Sequence, residues 1–258
     1  MIESLKGARV LVTAGAQGIG LAIARKFLAS GADVHVCDVD EQALKAARER
    51  HPTLGASLTD VSDEAQVLAM FQELENRWGA LDALVNNAGV SGPTSRLEET
   101  TLDAWKNTLD VNLTGNFLCA RSAVPLLRAA GGGSIVNISS VAGRLGFSLR
   151  TPYSASKFGL AGLTQTWAME LGPSGIRVNS VLPGVVSGDR VERIIAARAA
   201  AGGVSTDAMR DQLVEKVSLR RMTTPEDVAN QVAFLCSAEG AMISGQSISV
   251  CGNVEHLG

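Results

Sequence analysis

The sequence has one tyrosine in 258 residues, and aromatic residues together make up only 4% of it. Cysteine is also scarce: Cys37, Cys119, Cys236 and Cys251 are scattered with no CxxC pair, and the three histidines stand far from them and from one another. That pattern indicates neither a disulfide framework nor a metal site, so no metal is expected. There is no run of Lys or Arg, and acids and bases are interspersed around a formal net charge of −3, which argues against a nucleic-acid partner. Long apolar runs are missing too. The opening MIESLKGARVLVT goes almost directly into a strand pattern, without a separate apolar leader and cleavage site. The expectation is a cytoplasmic protein, without a membrane partner, acting on a small molecule.

What is present points to an α/β fold. The chain is 46% hydrophobic with 27 glycines, which suits a sheet buried on both faces and tight strand-to-helix turns. Nothing reads as a linker, so residues 1–258 are expected to form one domain. Short apolar runs fall at 8–13, 32–38, 55–60, 83–89, 133–140, 176–182 and 247–250. Between them lie helical patterns, among them one after Gly18 with Ile19, Ile23 and Phe27 in phase. Another is capped at Ser62 and carries Val67, Phe71, Leu74 and Trp78, and a long one spans about 101–130. Alternating strands and helices imply right-handed crossovers and a doubly wound, seven-stranded parallel sheet of the Rossmann type, with the ligand cleft at the carboxyl ends of the strands.

The first strand runs into TAGAQGIG (13–20). Glycines at 15, 18 and 20 allow the backbone to approach a pyrophosphate, and the helix that follows offers free N–H groups and a positive dipole end. Asp38 ends the second strand about twenty residues on, where a carboxylate can accept hydrogen bonds from a ribose and would repel a 2′-phosphate. A helix cap is the plainer reading of Asp38. No Arg or Lys occupies 14–18 or directly follows Asp38, so NAD is preferred to NADP.

With this turn, DV (60–61), NNAG (86–89), VNLTG (111–115), NISS (137–140), YSASK (153–157) and PG (183–184) in this order, the chain resembles the short-chain dehydrogenase/reductase family over essentially its whole length. It is similar to members of the 3-oxoacyl-acyl-carrier-protein reductase and 3-hydroxybutyrate dehydrogenase kinds. The resemblance places the catalytic residues on Asn112, Ser140, Tyr153 and Lys157. It places cofactor contacts on Thr13, Gly15, Gln17, Gly18, Ile19, Gly20, Asp38, Asp60, Val61, Asn87, Ala88, Gly89, Tyr153, Lys157, Pro183, Gly184 and Val186. Three departures stand out: Ala14 where the family turn usually has Gly, Gly188 where it often has Thr, and VCGN (250–253) where it has VDGG.

A free tyrosine titrates near pH 10, too high for an effective base at neutral pH. Four residues on, Lys157 shares a helix face with Tyr153, and a positive charge there favours the phenolate. Such a phenol can take the proton of a secondary alcohol while hydride leaves the carbinol carbon, and return it in reverse. By resemblance, Ser140 binds the substrate oxygen, Lys157 also holds nicotinamide ribose hydroxyls, and Asn112 anchors a relay water.

Residues 187–217 read as two short helices hinged at Gly202-Gly203, a substrate lid. Ser91, Arg150 and Arg190 are candidate substrate contacts; Arg150 reads most simply as a solvated rim arginine, and otherwise as the partner of a substrate carboxylate. Together these features imply NAD-dependent interconversion of a secondary alcohol and a ketone, on an anionic or polyhydroxylated molecule. An NADPH-dependent 3-oxoacyl-acyl-carrier-protein reductase is the alternative, and a non-catalytic NAD-binding protein a further one. Phe117, Leu118, Phe158, Leu160, Leu163 and Trp167 on the helices over 101–130 and 153–173 exceed what one sheet face needs, and a homotetramer or homodimer is expected.

Overall fold

The computed structural model describes residues 2–257, apart from the side chains of Arg190, Ala197, Arg198 and Ala201. Its centre is a seven-stranded parallel sheet of β1 (Arg9–Thr13), β2 (Asp33–Asp38), β3 (Gly55–Leu58), β4 (Ala83–Asn86), β5 (Gly133–Ile138), β6 (Ile176–Pro183) and β7 (Ser247–Val250). The strand order is β3-β2-β1-β4-β5-β6-β7. Side chains alternate between two apolar layers, as the period of a strand requires. Val10, Val12, Val34, Val36, Val85 and Val136 pack on one side, with Ile23 and Phe27 of α1 (Gly18–Ala29), Leu44 of α2 (Glu41–Arg50) and Val228 and Val232 of α9 (Pro225–Cys236). Leu11, Leu84, Ile135 and Val178 pack on the other, with Val67, Phe71 and Leu74 of α3 (Glu64–Trp78) and Leu118 and Leu127 of α5 (Gly115–Ala129). The sheet therefore has apolar cover on both faces, which explains why its strands read as near-continuous apolar runs.

Chain direction across the sheet reverses between β1 and β4, and the crevice at their carboxyl ends is where open α/β sheets bind ligands. Three strands, β3, β4 and β5, end earlier than their apolar runs suggest; after β4 the chain leaves the ladder at this crevice, where the amides of Asn87 and Ala88 donate to Thr13 Oγ1 on β1, each at 2.9 Å.

Two helix assignments are corrected. Asp63, not Ser62, caps α3, accepting from the amides of Ala65 (2.9 Å) and Gln66 (3.2 Å), while the Ser62 hydroxyl donates to Asp60 Oδ1 at 2.7 Å. The long helix over 101–130 is two helices, α4 (Leu102–Leu109) and α5, joined by a π-helical turn at Asp110–Thr114. Such turns insert a residue and rotate side chains out of the regular stripe, here carrying Asn112 fully inward. α6 (Thr151–Leu171), α7 (Asp189–Gly202) and α8 (Thr206–Glu215) complete the helices named here. The last two flank Gly203, which has a φ of +63°, so the break between the two helices falls at the glycine pair.

Candidate active site

The glycine turn is built from close approaches. A Cβ on Gly15 would lie 2.5 Å from Val36 Cγ1, and one on Gly20 would strike the Ala14 carbonyl oxygen and stand 2.6 Å from Asn87 Nδ2. Gly18 differs: its φ is +55° and nothing stands within 4 Å of the Cβ position, so the backbone is open at the start of α1. Gln17, the N-cap residue, makes no side-chain capping bond, which leaves the helix end able to receive an anion. Ala14 adopts a φ of +47°, a left-handed conformation that a glycine would take without strain.

Thr13 and Asn87 hold this turn in shape. Asn87 Nδ2 donates to the carbonyls of Thr13 and Ala14, both at 3.0 Å, and Thr13 Oγ1 accepts the two amides after β4. Asp38 is 7% exposed; its Oδ2 accepts from the Ala16 amide and its Oδ1 from that of Asp40, each at 3.2 Å. Asp40 caps α2, so Asp38 is not the cap of that helix. Its carboxylate sits against the turn at the end of β2. Asp60 receives the amide of Ser62 at 2.9 Å, and Val61 is wedged against Gly115, where a Cβ would meet Val61 Cγ2 at 2.7 Å.

Across the switch point the four expected catalytic residues come from three elements. Ser140 follows β5 and caps the short turn Val141–Gly143, its Oγ accepting from the Ala142 amide at 3.1 Å. Tyr153 and Lys157 lie in the first two turns of α6. Lys157 is 4% exposed, its Nζ donating to the Ile138 carbonyl at 2.9 Å and standing 5.8 Å from the Tyr153 ring centroid. Asn112 uses its whole amide: Oδ1 accepts from the Val90 amide at 2.7 Å, and Nδ2 donates to the Val90 carbonyl (3.0 Å) and Ser156 Oγ (2.9 Å). A Cβ at Gly89 would lie 3.2 Å from Asn112 Oδ1 and 3.3 Å from Lys157 Nζ, so these three residues converge and glycine makes room for the other two.

Further residues tie this arrangement together. Ser139 Oγ donates to the Lys157 carbonyl at 2.9 Å, fixing β5 against α6, and the Gly143 Cβ position lies 2.5 Å from the same carbonyl and 2.6 Å from Ser139 Oγ. Asn116 Nδ2 donates to the Asn112 carbonyl at 2.8 Å. Sequence reasoning missed Asn116 and Ser156; their signal was present only as small polar residues four positions after Asn112 and three after Tyr153.

On the outer side, Pro183 ends β6 and Gly184 lies where a Cβ would be 2.8 Å from Cys251 Cβ, so the VCGN departure packs directly on the PG motif. Val186 pairs with Thr223, and Val217 with Val254, so both roots of the 187–217 segment are fastened. The chain near the C-terminus reaches the turn after Ser140: Val254 joins Val141 and Val217 in a small cluster, with Leu145, Cys251 and Leu257 packed on it. Ser91 is half-buried after the NNAG motif. Arg150 donates from Nη1 to Thr94 Oγ1 (2.8 Å) and to the carbonyls of Gly92 (3.3 Å) and Pro93 (3.4 Å). The Arg190 side chain lies outside the described residues.

His35, midway along β2, is 2% exposed and bonded through Nε2 to Ser57 Oγ at 3.0 Å. Burial and the neighbouring Arg77 push its imidazole down to about 4.

Residues 13–253 match the family described as enoyl-(acyl carrier protein) reductase. Cis-4-hydroxycyclohexanecarboxylate dehydrogenase of Sinomonas cyclohexanicum is 37% identical over 245 residues, covering 94% of each chain. Among solved structures, NAD+-bound xylitol dehydrogenase aligns with a TM-score of 0.90 at 28% identity, over 96% of this chain and 99% of that one. A single-substitution variant of actinorhodin polyketide ketoreductase, solved with NADPH, aligns with a TM-score of 0.91 at 32% identity, over 98% and 99%. The chain belongs to the short-chain dehydrogenase/reductase family, oxidoreductases that interconvert alcohols and ketones with a nicotinamide cofactor.

Proposed function

We propose that the protein interconverts a secondary alcohol and its ketone with NAD, Tyr153 exchanging the proton with the substrate oxygen. One observation carries this reading: the only tyrosine of the chain stands beside a buried ammonium group, that of Lys157, with Asn112 and Gly89 closing around it. When bound, the nicotinamide supplies the carbon that accepts or returns hydride. Tyr153 removes or restores the hydroxyl proton, Ser140 donates a hydrogen bond to the same oxygen, and Lys157 stabilises negative charge developing on the phenol oxygen. Asn112 holds Val90 and Ser156 so that the loop after β4 and the start of α6 keep a fixed spacing.

The dinucleotide would lie along the carboxyl ends of β1, β2 and β4. Gly15, Gln17, Gly18, Ile19 and Gly20 receive its phosphates, Asp38 the adenosine ribose, Asp60 and Val61 the adenine, and Ala88, Gly89, Pro183, Gly184 and Val186 the nicotinamide half. Thr13 and Asn87 serve it by holding the turn. A carboxylate at 38, with Val39 rather than a basic residue after it, favours the free 2′-hydroxyl of NAD. Residues 187–217 form the lid of one domain spanning 1–258, and the substrate is a small anionic or polyhydroxylated alcohol. Leu102, Phe117, Phe158 and Met169 expose apolar surface on α4, α5 and α6, which supports a homodimer or homotetramer. We place the enzyme in the cytoplasm; no helix among the described residues is long and apolar enough to cross a membrane.

NADPH-dependent 3-oxoacyl reduction is the second reading, favoured by the likeness to the ketoreductase solved with NADPH. Initial rates on a panel of hydroxy acids, sugar alcohols and cyclic alcohols, taken with NAD and with NADP, separate the two. The NAD reading expects NAD to give the higher kcat/KM and Asp38→Ala to narrow the preference. A wild-type preference for NADP would overturn it.

A further inference from the structure

Arg150 carries a role beyond the substrate contact its position suggests. It is the N-cap residue of α6, three residues before Tyr153, and its side chain turns away from the helix to the loop after β4. There Nη1 is shared among Thr94 Oγ1 (2.8 Å), the Gly92 carbonyl (3.3 Å) and the Pro93 carbonyl (3.4 Å). The guanidinium carbon lies 5.6 Å from the Phe147 ring centroid and 5.9 Å from that of Tyr153, so the group spans from the loop to the tyrosine. The backbone repeats the connection, because the Ser95 amide donates to the Leu149 carbonyl at 3.1 Å. Leu149 adopts a φ of +62°, an unusual conformation for a leucine and one that persists where its surroundings hold it. The loop is also fixed one step earlier, where Asn112 binds both the amide and the carbonyl of Val90. Ser91 thus sits between two anchors, Asn112 before it and Arg150 after it, both tied to the first turns of α6.

We propose that Arg150 is a positioning residue, a staple that holds residues 92–94 against the start of α6 and thereby sets the spacing between the loop wall of the cleft and Tyr153. The proposal rests on the dehydrogenase reading for its kinetic consequence. A guanidinium suits this place because one nitrogen can serve several loop acceptors while the cation stands within cation–π range of two aromatic rings.

The test compares Arg150→Gln and Arg150→Lys with the wild type, at saturating NAD, on an anionic and an uncharged alcohol: cis-4-hydroxycyclohexanecarboxylate and 4-methylcyclohexanol. A staple predicts that Arg150→Gln loses about tenfold or more in kcat/KM by a similar factor on both alcohols, kcat included, because misplacement penalises any substrate. NAD affinity stays within about twofold. Arg150→Lys recovers part of the loss on both. Amide hydrogen exchange at Ser95 speeds up in Arg150→Gln. A loss confined to the carboxylate substrate and restored by lysine would instead make Arg150 a substrate-anion contact and overturn the staple, as would unchanged kinetics on both alcohols. Should Arg150→Gln fail to fold, Thr94→Val removes the shortest of the three contacts, and the staple expects a smaller loss with the same equality between the two alcohols. If the wild type turns over neither these alcohols nor the wider panel, the dehydrogenase reading fails by itself, and the exchange rate at Ser95 still decides whether Arg150 holds the loop.

Discussion

Protonation of His35 offers a stability prediction whose size follows from its surroundings. The ring lies on β2 three residues before Asp38, edge-on to Trp78 with centroids 6.2 Å apart. Nε2 meets Ser57 Oγ at 3.0 Å, while Nδ1 is buried with no hydrogen-bond partner. A Cβ on Gly55 would lie 2.6 Å from that Nδ1 and 2.5 Å from Arg77 Nη1, so the guanidinium stands close to the nitrogen that a second proton would occupy. Burial first, and Arg77 second, therefore depress the imidazole from 6.5 to about 4. An unfolded chain takes up this proton below pH 6.5 and the folded one only below about 4. Between those values the unfolded state binds more protons, so stability rises with pH. His35 has no pH-dependent effect well above 6.5, and as pH falls through 6.5 toward 4 it removes stability progressively; at about 1.4 kcal/mol per pH unit, the loss comes to roughly 3 kcal/mol. Urea unfolding at fixed protein concentration, in steps from pH 7.5 to 4, would measure it in the wild type and in His35→Gln. Carboxylates held low by their partners, such as Asp82 beside Arg9, also lose stability as pH falls, but they do so in both proteins. The difference between the two curves belongs to His35. Parallel curves across this window would refute the reasoning.

Other substitutions test the turn and the site. Ala14→Gly relieves the left-handed alanine at the cost of a more flexible unfolded chain, with a net gain of about 0.5–1 kcal/mol and a melting point up by roughly 1–4 °C by calorimetry. Gly89→Ala forces Asn112 and Lys157 apart by a few tenths of an ångström; kcat should drop by about tenfold or more while NAD titration shows a smaller change. Gly20→Ala places a methyl group against the Ala14 carbonyl and Asn87, so NAD binding, followed by quenching of tryptophan fluorescence, should weaken most in this variant.

Local chemistry made much of this legible. The glycine turn, Asp38, Tyr153 and Lys157 lie within short segments whose spacing defines their geometry, and the sheet announced itself through seven apolar runs. Contacts between distant segments did not. Thr13 and Asn87 are marked in sequence as cofactor contacts, but nothing there shows that they also bond one another across 74 residues to keep the turn closed. The π turn that carries Asn112 inward is not visible in the sequence, since it shows itself in backbone hydrogen bonding and not in composition. Arg150 reads in sequence as a rim cation, solvated or facing substrate, because its acceptors, two carbonyls and a threonine, are more than fifty residues earlier. The same holds for Val254 and Leu257, whose packing beside the turn after Ser140 could not be read from a tail without a motif.

The proton role of the single tyrosine is open to one direct measurement: kcat of Tyr153→Phe with NAD on the best alcohol of the panel, with folding and NAD affinity verified in the same preparation. Removal of one phenolic oxygen should lower kcat by about 10²–10⁴ while the dinucleotide still binds. A variant that turns over at the wild-type rate would contradict the assignment.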